Sequence, residues 1–481
     1  MVAITAAEPP GGVRPKLSAG QVKTKRAATV ADSIVADVIA RGWPVGQVLG
    51  SEPELLERYG VSRAVFREAV RLVENQQVAR MRRGPGGGLV VAEPTVEAII
   101  DATVLYLYRA GTRLDEVFEA RMVLEDLVCQ LAPSRCDETH LAALQQVLAE
   151  ESAGTVTDHR ALHAVLAAAT LNPALGLFTE ILNRVTTLYF GSMNSVSPKV
   201  GEASRLAHVR IVEAVAAGDE GLARHRMRRH LEAEADFIQR RRSTRMALDP
   251  TAVIGAGRGA KRAEEVAREV FQSIVADGLQ PGDMIGSESE LMERFKVSRA
   301  VVREAVRLLE HHNMAAMKRG PGGGLFVSAP SVLAVTAVMA LYLERHGIRI
   351  SDIFEIRAGV ELAVVDLAVA RMDDASEARL QECLRWEVEA PDEEFTSAAH
   401  DIHMQLAAMS GNHALELLSV VLIRLTHLHE RENLSPTAVR ALGVEVSRTH
   451  GAIVEALARG DRQLSRHRMS RHLSALSGYF R

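Results

Sequence analysis

Histidine side chains recur at matched positions in the two halves of this 481-residue chain: His163, His208, His230, His403, His450 and His472. In each half the second and third histidines are 22 residues apart, and the first precedes an asparagine by nine residues. Three imidazoles from three helices can converge on one divalent cation and leave positions open for water or a carboxylate. A single helical histidine more often packs in a core or lies at the surface. The matched spacing keeps a site for zinc, nickel or manganese open beside that simpler interpretation.

Two triplets of arginines are spaced by one helical turn: Arg63, Arg67 and Arg71, and then Arg299, Arg303 and Arg307. A serine that can cap a helix and contact phosphate precedes each triplet, at Ser62 and at Ser298. Arginines on one helix face can bind guanine through two hydrogen bonds or clamp phosphate groups. Residues 58–83 contain seven Arg or Lys and two Glu, and residues 294–319 repeat that ratio although the net charge is −4. A repeated basic strip in an acidic chain indicates contact with a phosphate backbone.

The elements that must position these side chains are present twice. Residues 49–74 and 285–310 align without a gap and are identical at 19 of 26 positions, with a shift of 236 residues. Both segments continue into a Gly-Pro-Gly-Gly-Gly-Leu tail after a basic pair. Such a long period indicates duplication of one module of about 230 residues and not a short-repeat solenoid. We therefore predict two copies of a two-domain unit.

The first domain of each unit has the pattern of a winged helix-turn-helix. Ser51 and Ser287 are predicted helix N-caps with a glutamate three residues on, and a short break leads into the helix that carries each arginine triplet. Apolar and basic residues then alternate around the glycine-rich tip, which predicts a two-stranded hairpin. Its basic residues are Arg82, Arg83, Lys318 and Arg319. A phosphate-binding loop at residues 84–88 is the alternative, but no Lys-Ser or Lys-Thr follows these glycines.

Amphipathic helices fill the rest of each unit, so the predicted fold class is mainly α: a winged helix-turn-helix plus an all-helical bundle, both present twice. We predict a disordered tail over residues 1–28, which are rich in Pro, Gly and Lys. The predicted winged domains are 29–93 and 262–329, and the predicted bundles are 94–240 and 330–481. Residues 241–261 are small, polar and Gly-rich and form the predicted linker.

The apolar runs and the cysteines of the sequence indicate in which cellular compartment the protein is expected. No apolar run approaches the ~18–20 residues of a membrane span, and no apolar signal-peptide core is present near residue 1. The three cysteines give an odd count without a Cys-x-x-Cys pair, so we expect no disulfide framework. These features predict a cytoplasmic protein without a membrane partner.

The winged motifs resemble the GntR-type DNA-binding domain, over the segment from Gly46 to Val91 and again from Pro281 to Val327. The resemblance implies double-stranded operator DNA as the partner of the serines, arginines and lysine named above. The sequence departs from the family at one point. Pro53 and Ser289 stand where the family often has a DNA-contacting arginine, so the operator preference can differ and the remaining arginines matter more.

The helical region resembles the FCD domain, the ligand-binding partner in the FadR-type branch of GntR proteins. In that family an aspartate four residues before the first histidine completes a metal site; His159 holds that slot in the first copy and Ala399 in the second. The resemblance therefore implies a divalent metal with four protein ligands in the first copy and at most three in the second. It also implies a small carboxylate effector, or an acyl thioester. We assign the effector site to Arg121, Asn172, Arg357 and Asn412, with an arginine salt bridge to the glutamate four residues on as the alternative.

The function implied by this resemblance is that of a ligand-responsive, DNA-binding transcriptional regulator of metabolic genes, most often a repressor. Because the chain contains two reading heads, we predict an intramolecular pseudo-dimer that presents both to one operator, and further homodimerisation stays open. One alternative is an architectural DNA-binding protein without an effector. Another is a metal-dependent enzyme that uses the histidines, although no general-base carboxylate stands at ligand spacing beside them.

Overall fold

A computed structural model of the chain describes residues 19–75, 77–82, 84, 86–93, 95–153, 160–190, 198–240, 262–311, 314–318, 320, 322–330, 332–433 and 436–479. The predicted linker 241–261 lies outside the described residues. The chain divides into two compact units, of which the first contains both winged repeats and the second contains most of both helical repeats. The helices within the described ranges include none that is long and apolar enough to pass through a lipid bilayer.

The elements follow the same order in both copies. The first winged repeat consists of α1 (Ala19–Ala40), β1 (Val48–Gly50), α2 (Glu52–Tyr59), α3 (Arg63–Asn75), β2 (Ala79–Arg82) and β3 (Gly88–Val91). The first helical repeat consists of α4 (Val96–Arg109), α5 (Leu114–Arg135), α6 (Glu138–Ala153), α7 (Ala161–Ala168), α8 (Pro173–Phe190), α9 (Pro198–Ala216) and α10 (Glu220–Arg240). The second winged repeat consists of α11 (Arg262–Ala276), β4 (Met284–Gly286), α12 (Glu288–Phe295), α13 (Arg299–His311), β5 (Ala315–Lys318) and β6 (Gly324–Val327). The second helical repeat consists of α14 (Val332–Arg345), α15 (Ile350–Ala370), α16 (Asp374–Glu389), α17 (Asp392–Met409), α18 (His413–Asn433), α19 (Pro436–Ala458) and α20 (Arg462–Tyr479).

This order confirms the mainly α class and the duplicated winged helix-turn-helix and bundle. The N-terminal boundary differs from the prediction. Helix α1 begins at Ala19, within the segment 1–28 that we predict as a disordered tail. Ala27 gives a physical reason, because it is fully buried in a core shared with Leu55 of α2 and Phe66 of α3.

The start of the second helix in each winged repeat is set by its local sequence. The Ser51 amide donates a hydrogen bond to the Glu54 carboxylate at 2.7 Å. The Ser287 amide donates to Glu290 at the same distance. These bonds confirm the predicted capping boxes, in which two otherwise unpaired helix-end donors are satisfied.

The wing is a three-stranded antiparallel sheet in each copy, ordered β1-β3-β2 and β4-β6-β5, where we predicted a two-stranded hairpin. The missed strand has three residues, too few for an alternating pattern to show. A Cβ on Gly88 would lie 2.4 Å from the Gly50 carbonyl oxygen, and one on Gly324 would lie 2.8 Å from that of Gly286. These glycines therefore permit the close approach of neighbouring strands. The segment before Gly88 connects two strands, β2 and β3, whereas a phosphate-binding loop connects a strand to a helix.

The two helical repeats contact each other through reciprocal bonds, and their central helices α5 and α15 pack together. Asn172, which precedes α8, donates from Nδ2 to the backbone carbonyl of Asp352 at 2.9 Å. Asn412, which precedes α18, donates from Nδ2 to the backbone carbonyl of Glu116 at 3.0 Å. Each asparagine thus reaches the start of the central helix in the other repeat.

These bonds give the two asparagines a role other than the effector binding that we predicted. The Asn172 amide also donates to Glu355 at 3.2 Å, and its oxygen accepts from the amide of Leu175 at 3.2 Å. Asn412 likewise donates to Glu119 at 2.9 Å. Both side chains are buried, 3% and 1% exposed, so their polar groups are used within the protein. The physical reason is that each asparagine satisfies an unpaired amide at the start of a helix and a carbonyl across the interface.

Substitution of these asparagines tests their structural role. Asn172→Ala and Asn412→Ala should each lower the free energy of unfolding by about 1–3 kcal/mol, because each leaves buried donors and acceptors unpaired. Urea denaturation followed by circular dichroism measures the effect. Gln146→Ala is the control, because Gln146 bonds Glu150 on the exposed face of α6 and should cost less than about 0.5 kcal/mol. Equal stability of all three variants would contradict the assignment.

Candidate DNA-reading and metal-binding sites

The arginines of α3 and α13 lie at the protein surface. The side chains that are between 64% and 69% exposed are Arg63, Arg67, Arg299, Arg303 and Arg307. The preceding serines, Ser62 and Ser298, accept hydrogen bonds at 3.4 Å from the amides of Val65 and Val301. The opposite faces of both helices are apolar and buried in the winged repeats. Each helix therefore offers an accessible cationic face of the kind that enters a major groove.

A glutamate at the start of the preceding helix lies beside these arginines. Glu52 Oε1 is 3.3 Å from both Arg63 Nε and Arg67 Nε. In the second copy Glu288 Oε1 is 2.7 Å from Arg303 Nε. Exposed pairs of this kind contribute only ~0–1 kcal/mol, so phosphate or a base can replace the carboxylate at small cost. The sequence analysis missed this contact, although a glutamate recurs at this position in both copies.

The third arginine of each triplet differs between the copies. Arg71 Nη2 lies 3.0 Å from Glu310 of the second winged repeat. Arg307 Nη1 instead lies 3.0 Å from Glu304 on its own helix. Both arginines line a cavity of about 1120 Å³ between the two winged repeats. Contact between Arg71 and DNA therefore requires its ion pair with Glu310 to open.

Two of the predicted DNA-binding side chains of the wings, Arg82 and Lys318, contact other residues of their own wing. Arg82 donates from Nη2 to the Gly86 carbonyl at 2.9 Å. Lys318 Nζ lies 4.2 Å from the centre of the Phe326 ring, a cation–π contact. Arg83 and Arg319 lie outside the described residues.

Three buried histidines converge in each helical repeat. In both sets the candidate ligand atoms lie within 4.8 Å of one another. The Nε2–Nε2 distance between the second and third histidines is 3.3 Å in the first set and 3.1 Å in the second. The structure thus brings the six predicted ligands together as the first histidine cluster and the second histidine cluster: His163, His208 and His230, and His403, His450 and His472.

The position four residues before the first histidine, predicted to supply a fourth metal ligand, provides none among the described residues of either cluster. His159 lies outside them, and Ala399 is buried and offers no ligand atom. The prediction that the first copy binds metal more readily rests on His159 and stays a prediction.

A buried carboxylate holds the Nδ1 atom of the second histidine in each cluster. Glu151 accepts from His208 Nδ1 at 2.9 Å, and Glu387 accepts from His450 Nδ1 at 2.9 Å. Such a bond fixes the imidazole tautomer with its proton on Nδ1, so that the Nε2 lone pair faces the cluster. Sequence spacing did not reveal these glutamates, because they lie 57 and 63 residues from their histidines and belong to other helices.

The first histidine of each cluster is linked to a buried arginine through a glutamate. Arg121 Nε donates to Glu125 at 2.9 Å, and the other oxygen of Glu125 binds His163 Nδ1. The second repeat has the same series of contacts, from Arg357 to Glu361 and from Glu361 to His403. Burial alone would raise the pKa of Glu125, but the charges of His163 and Arg121 outweigh it and lower that pKa to about 2. The salt bridge that we gave as the alternative for the arginines is therefore present, in the interior of each bundle.

The two buried arginines differ in how fully they are paired. Arg121 also donates from Nη1 to Glu234 at 3.1 Å. Arg357 donates to Glu361 and to Thr426, but its Nη2 is buried and has no hydrogen-bond partner among the described residues. The second repeat thus contains a cationic donor that can bind an additional acceptor.

Comparison with known proteins gives family matches in both halves of the chain. Residues 26–89 and 262–327 match the family described as bacterial regulatory proteins, gntR family, and residues 116–233 and 352–475 match the FCD domain. The chain is 30% identical over 214 residues to the HTH-type transcriptional regulator LutR of Bacillus subtilis, covering 42% of this chain and 95% of LutR. It is 25% identical over 230 residues to the HTH-type transcriptional repressor NanR of Salmonella schwarzengrund, covering 45% and 83%. A solved structure, Streptococcus agalactiae GntR, matches at 22% identity with a TM-score of 0.36 and covers 45% of this chain and 99% of that one.

The stability of metal-free protein should fall on acidification. Burial lowers the pKa of His403 to about 4 from an ordinary value of 6.5. Between these values the unfolded chain binds the proton and the folded protein does not, so stability is present above pH 6.5 and lost as the pH falls towards 4. Glu361, with a pKa lowered from 4.5 to about 2 against the effect of burial by Arg357 and His403, adds a further loss below pH 4.5.

Thermal unfolding of chelator-treated protein between pH 8 and pH 4 measures this loss. His403→Gln should flatten the profile between pH 6.5 and pH 4, and His467→Gln, at an exposed position of α20, should keep the wild-type slope. A wild-type slope in His403→Gln would show that this histidine is not the group responsible.

Proposed function

This chain belongs to the gntR family of bacterial regulatory proteins with an FCD domain in each half, and from this premise we propose that it is a ligand-responsive repressor whose two winged repeats read one operator. Its family and relatives are transcriptional regulators and not enzymes, so the enzymatic alternative is set aside. The observation that carries the proposal is the exposed arginine face that recurs on α3 and α13. Winged and other helix-turn-helix proteins place such a face in the major groove.

The reading of one operator by one chain is supported by the contacts between the helical repeats. Asn172 contacts Asp352, and the matched residue Asn412 contacts Glu116, which matches Asp352. Such reciprocity is the mark of a two-fold interface between two copies of a subunit. Here the interface lies within a single chain, and this supports the proposed pseudo-dimer. Two half-sites separated by about one helical turn, ~34 Å, would fit such a molecule.

A divalent metal fits both histidine clusters. Two donors that each bind zinc at ~2.1 Å with tetrahedral angles are about 3.4 Å apart, close to the Nε2–Nε2 distances of 3.1 to 3.3 Å. The buried carboxylates on Nδ1 provide the outer support that metal-bound imidazoles have. When bound, the metal would supply a Lewis-acidic position for an oxygen ligand. The protein residues would hold and orient the three imidazoles.

An anionic effector is supported by Arg357, whose Nη2 has no hydrogen-bond partner among the residues that the structure describes. An arginine binds a carboxylate through two parallel hydrogen bonds, and a buried donor gains most from such a partner. An effector that binds the helical repeats in one state better than in the other would change operator affinity by ~5–150-fold. The proposed direction is release of the operator by the effector, by analogy with the relative NanR, which is named as a transcriptional repressor.

Removal of the arginines from either reading head should weaken specific DNA binding. Arg63→Ala with Arg67→Ala, and separately Arg299→Ala with Arg303→Ala, should each reduce affinity about tenfold or more, because a good base contact contributes ~1–3 kcal/mol. The measurement is fluorescence anisotropy with a duplex selected by the wild-type chain from a random-sequence library.

The control for this experiment removes the same charge elsewhere. Arg229→Ala with Arg240→Ala alters two exposed arginines of α10 and should leave specific affinity within about twofold, since distant exposed charges are screened by salt. Wild-type affinity in both head variants would refute the assignment of the reading heads. An equal loss in the control would reduce the effect to net charge.

Metal binding is checked on the purified protein by elemental mass spectrometry. We expect zinc, nickel or manganese in amounts comparable to the chain, reduced by His208→Ala and by His450→Ala, each of which removes a central ligand. His225→Ala, at an exposed position of α10, should retain the wild-type amount. Absence of metal after incubation with each ion and dialysis would assign the clusters to packing alone.

A further inference from the structure

A third group of candidate metal ligands lies in the second helical repeat, outside the two histidine clusters. It consists of His400 on α17 and of His427 and Glu430 on α18, whose ligand atoms lie within 4.8 Å of one another. His400 Nε2 is 3.5 Å from Glu430 Oε2, and the rings of His400 and His427 are 5.6 Å apart at 77°. We name these three residues the third cluster.

The positions of the three residues along α17 and α18 explain why their side chains lie close together. His427 and Glu430 are three residues apart, so they share one face of α18. His400 is three residues before His403 on α17, which places it next to the second histidine cluster. Two neighbouring helices thus bring two imidazoles and one carboxylate together beside an existing cluster.

The first repeat does not carry this group. A shift of 240 residues relates His403 to His163, Asn412 to Asn172 and Thr426 to Thr186. The same shift places Arg160, Thr187 and Phe190 at the positions of the third cluster. None of these three residue types is an ordinary metal ligand. The group is therefore specific to the second half of the chain.

The burial of Glu430 calls for a cation. The residue is 9% exposed, and its Oε2 accepts no hydrogen bond from the described residues. A buried carboxylate oxygen that accepts no hydrogen bond is costly unless the group is paired with a cation or coordinates a metal. The distance of 3.5 Å to His400 is long for a hydrogen bond but close to the ~3.4 Å between two donors on one zinc ion.

We propose that His400, His427 and Glu430 form a separate site for a divalent transition-metal ion in the second helical repeat. Two imidazoles and one carboxylate are a known ligand set for zinc and for iron(II), and they leave positions open for water or an organic ligand. The site would give the second half of the chain a set of ligands that the matched positions of the first half, Arg160, Thr187 and Phe190, do not repeat.

Cobalt binding to the full-length chain tests the proposal. Metal-free protein is dialysed to equilibrium against graded Co²⁺, and the bound ions per chain are counted by elemental mass spectrometry. The wild type should bind one more Co²⁺ than the double variant His427→Ala, Glu430→Gln. This difference does not depend on occupancy of the two histidine clusters, which the double variant leaves intact. Failure of the third cluster and failure of the proposed clusters are therefore distinguishable.

His429→Gln is the matched control, because it removes an adjacent imidazole of α18 whose Nδ1 is 3.0 Å from the Leu425 carbonyl. It should bind as many ions as the wild type. If circular dichroism shows that the double variant is unfolded, Glu430→Gln alone replaces it and should weaken binding of the additional ion about tenfold or more, since even outer-shell changes cost 10–100-fold. Equal Co²⁺ counts and affinities in the wild type and the folded cluster variant would overturn the proposal.

Discussion

Each helical repeat depends on a buried network of hydrogen bonds in which a glutamate joins an arginine to a histidine. Arg121, Glu125 and His163 form it in the first repeat, and Arg357, Glu361 and His403 repeat it in the second. Buried charges are costly unless each is paired, so the helices can pack only where these groups meet. The glutamate occupies Nδ1 of the histidine and leaves Nε2 to face the cluster. The same bond that pairs the charges therefore prepares a metal ligand.

The duplication has preserved different features in the two kinds of domain. The winged repeats keep an exposed cationic face and a glutamate, Glu52 or Glu288, that lies beside it. The helical repeats keep the buried clusters and the reciprocal asparagine contacts, but their polar residues have diverged around them. Arg121 binds Glu234, whereas Nη2 of Arg357 has no hydrogen-bond partner in the part of the chain that the structure describes. The winged repeats are thus more alike than the interiors of the helical repeats, as we expect if both winged repeats bind the same kind of DNA site and the proposed effector binds only one of the two bundles.

Local sequence patterns predict most of the helices and the winged motif. The features that the sequence did not reveal depend on contacts between segments that are far apart in the chain. The capping box of Ser51 and Glu54 and the arginine spacing on α3 depend on neighbouring residues, so they were visible. The three-residue strand β1 was too short to recognise. Glu151 was missed because only the packing of α6 against α9 brings it to His208. Asn172 and Asn412 were noticed as a matched pair, but sequence cannot tell that their amides are used at an interface.

The most direct test of the central claim, that carboxylate-held imidazoles in the bundles bind a metal, is X-ray absorption spectroscopy of the zinc-loaded full-length chain. We expect nitrogen and oxygen neighbours only, at about 2.0–2.1 Å, with the multiple scattering of about three imidazoles per ion. The three cysteines should contribute nothing, since none belongs to a cluster. A sulfur neighbour at ~2.3 Å, or a spectrum without imidazole scattering, would contradict it.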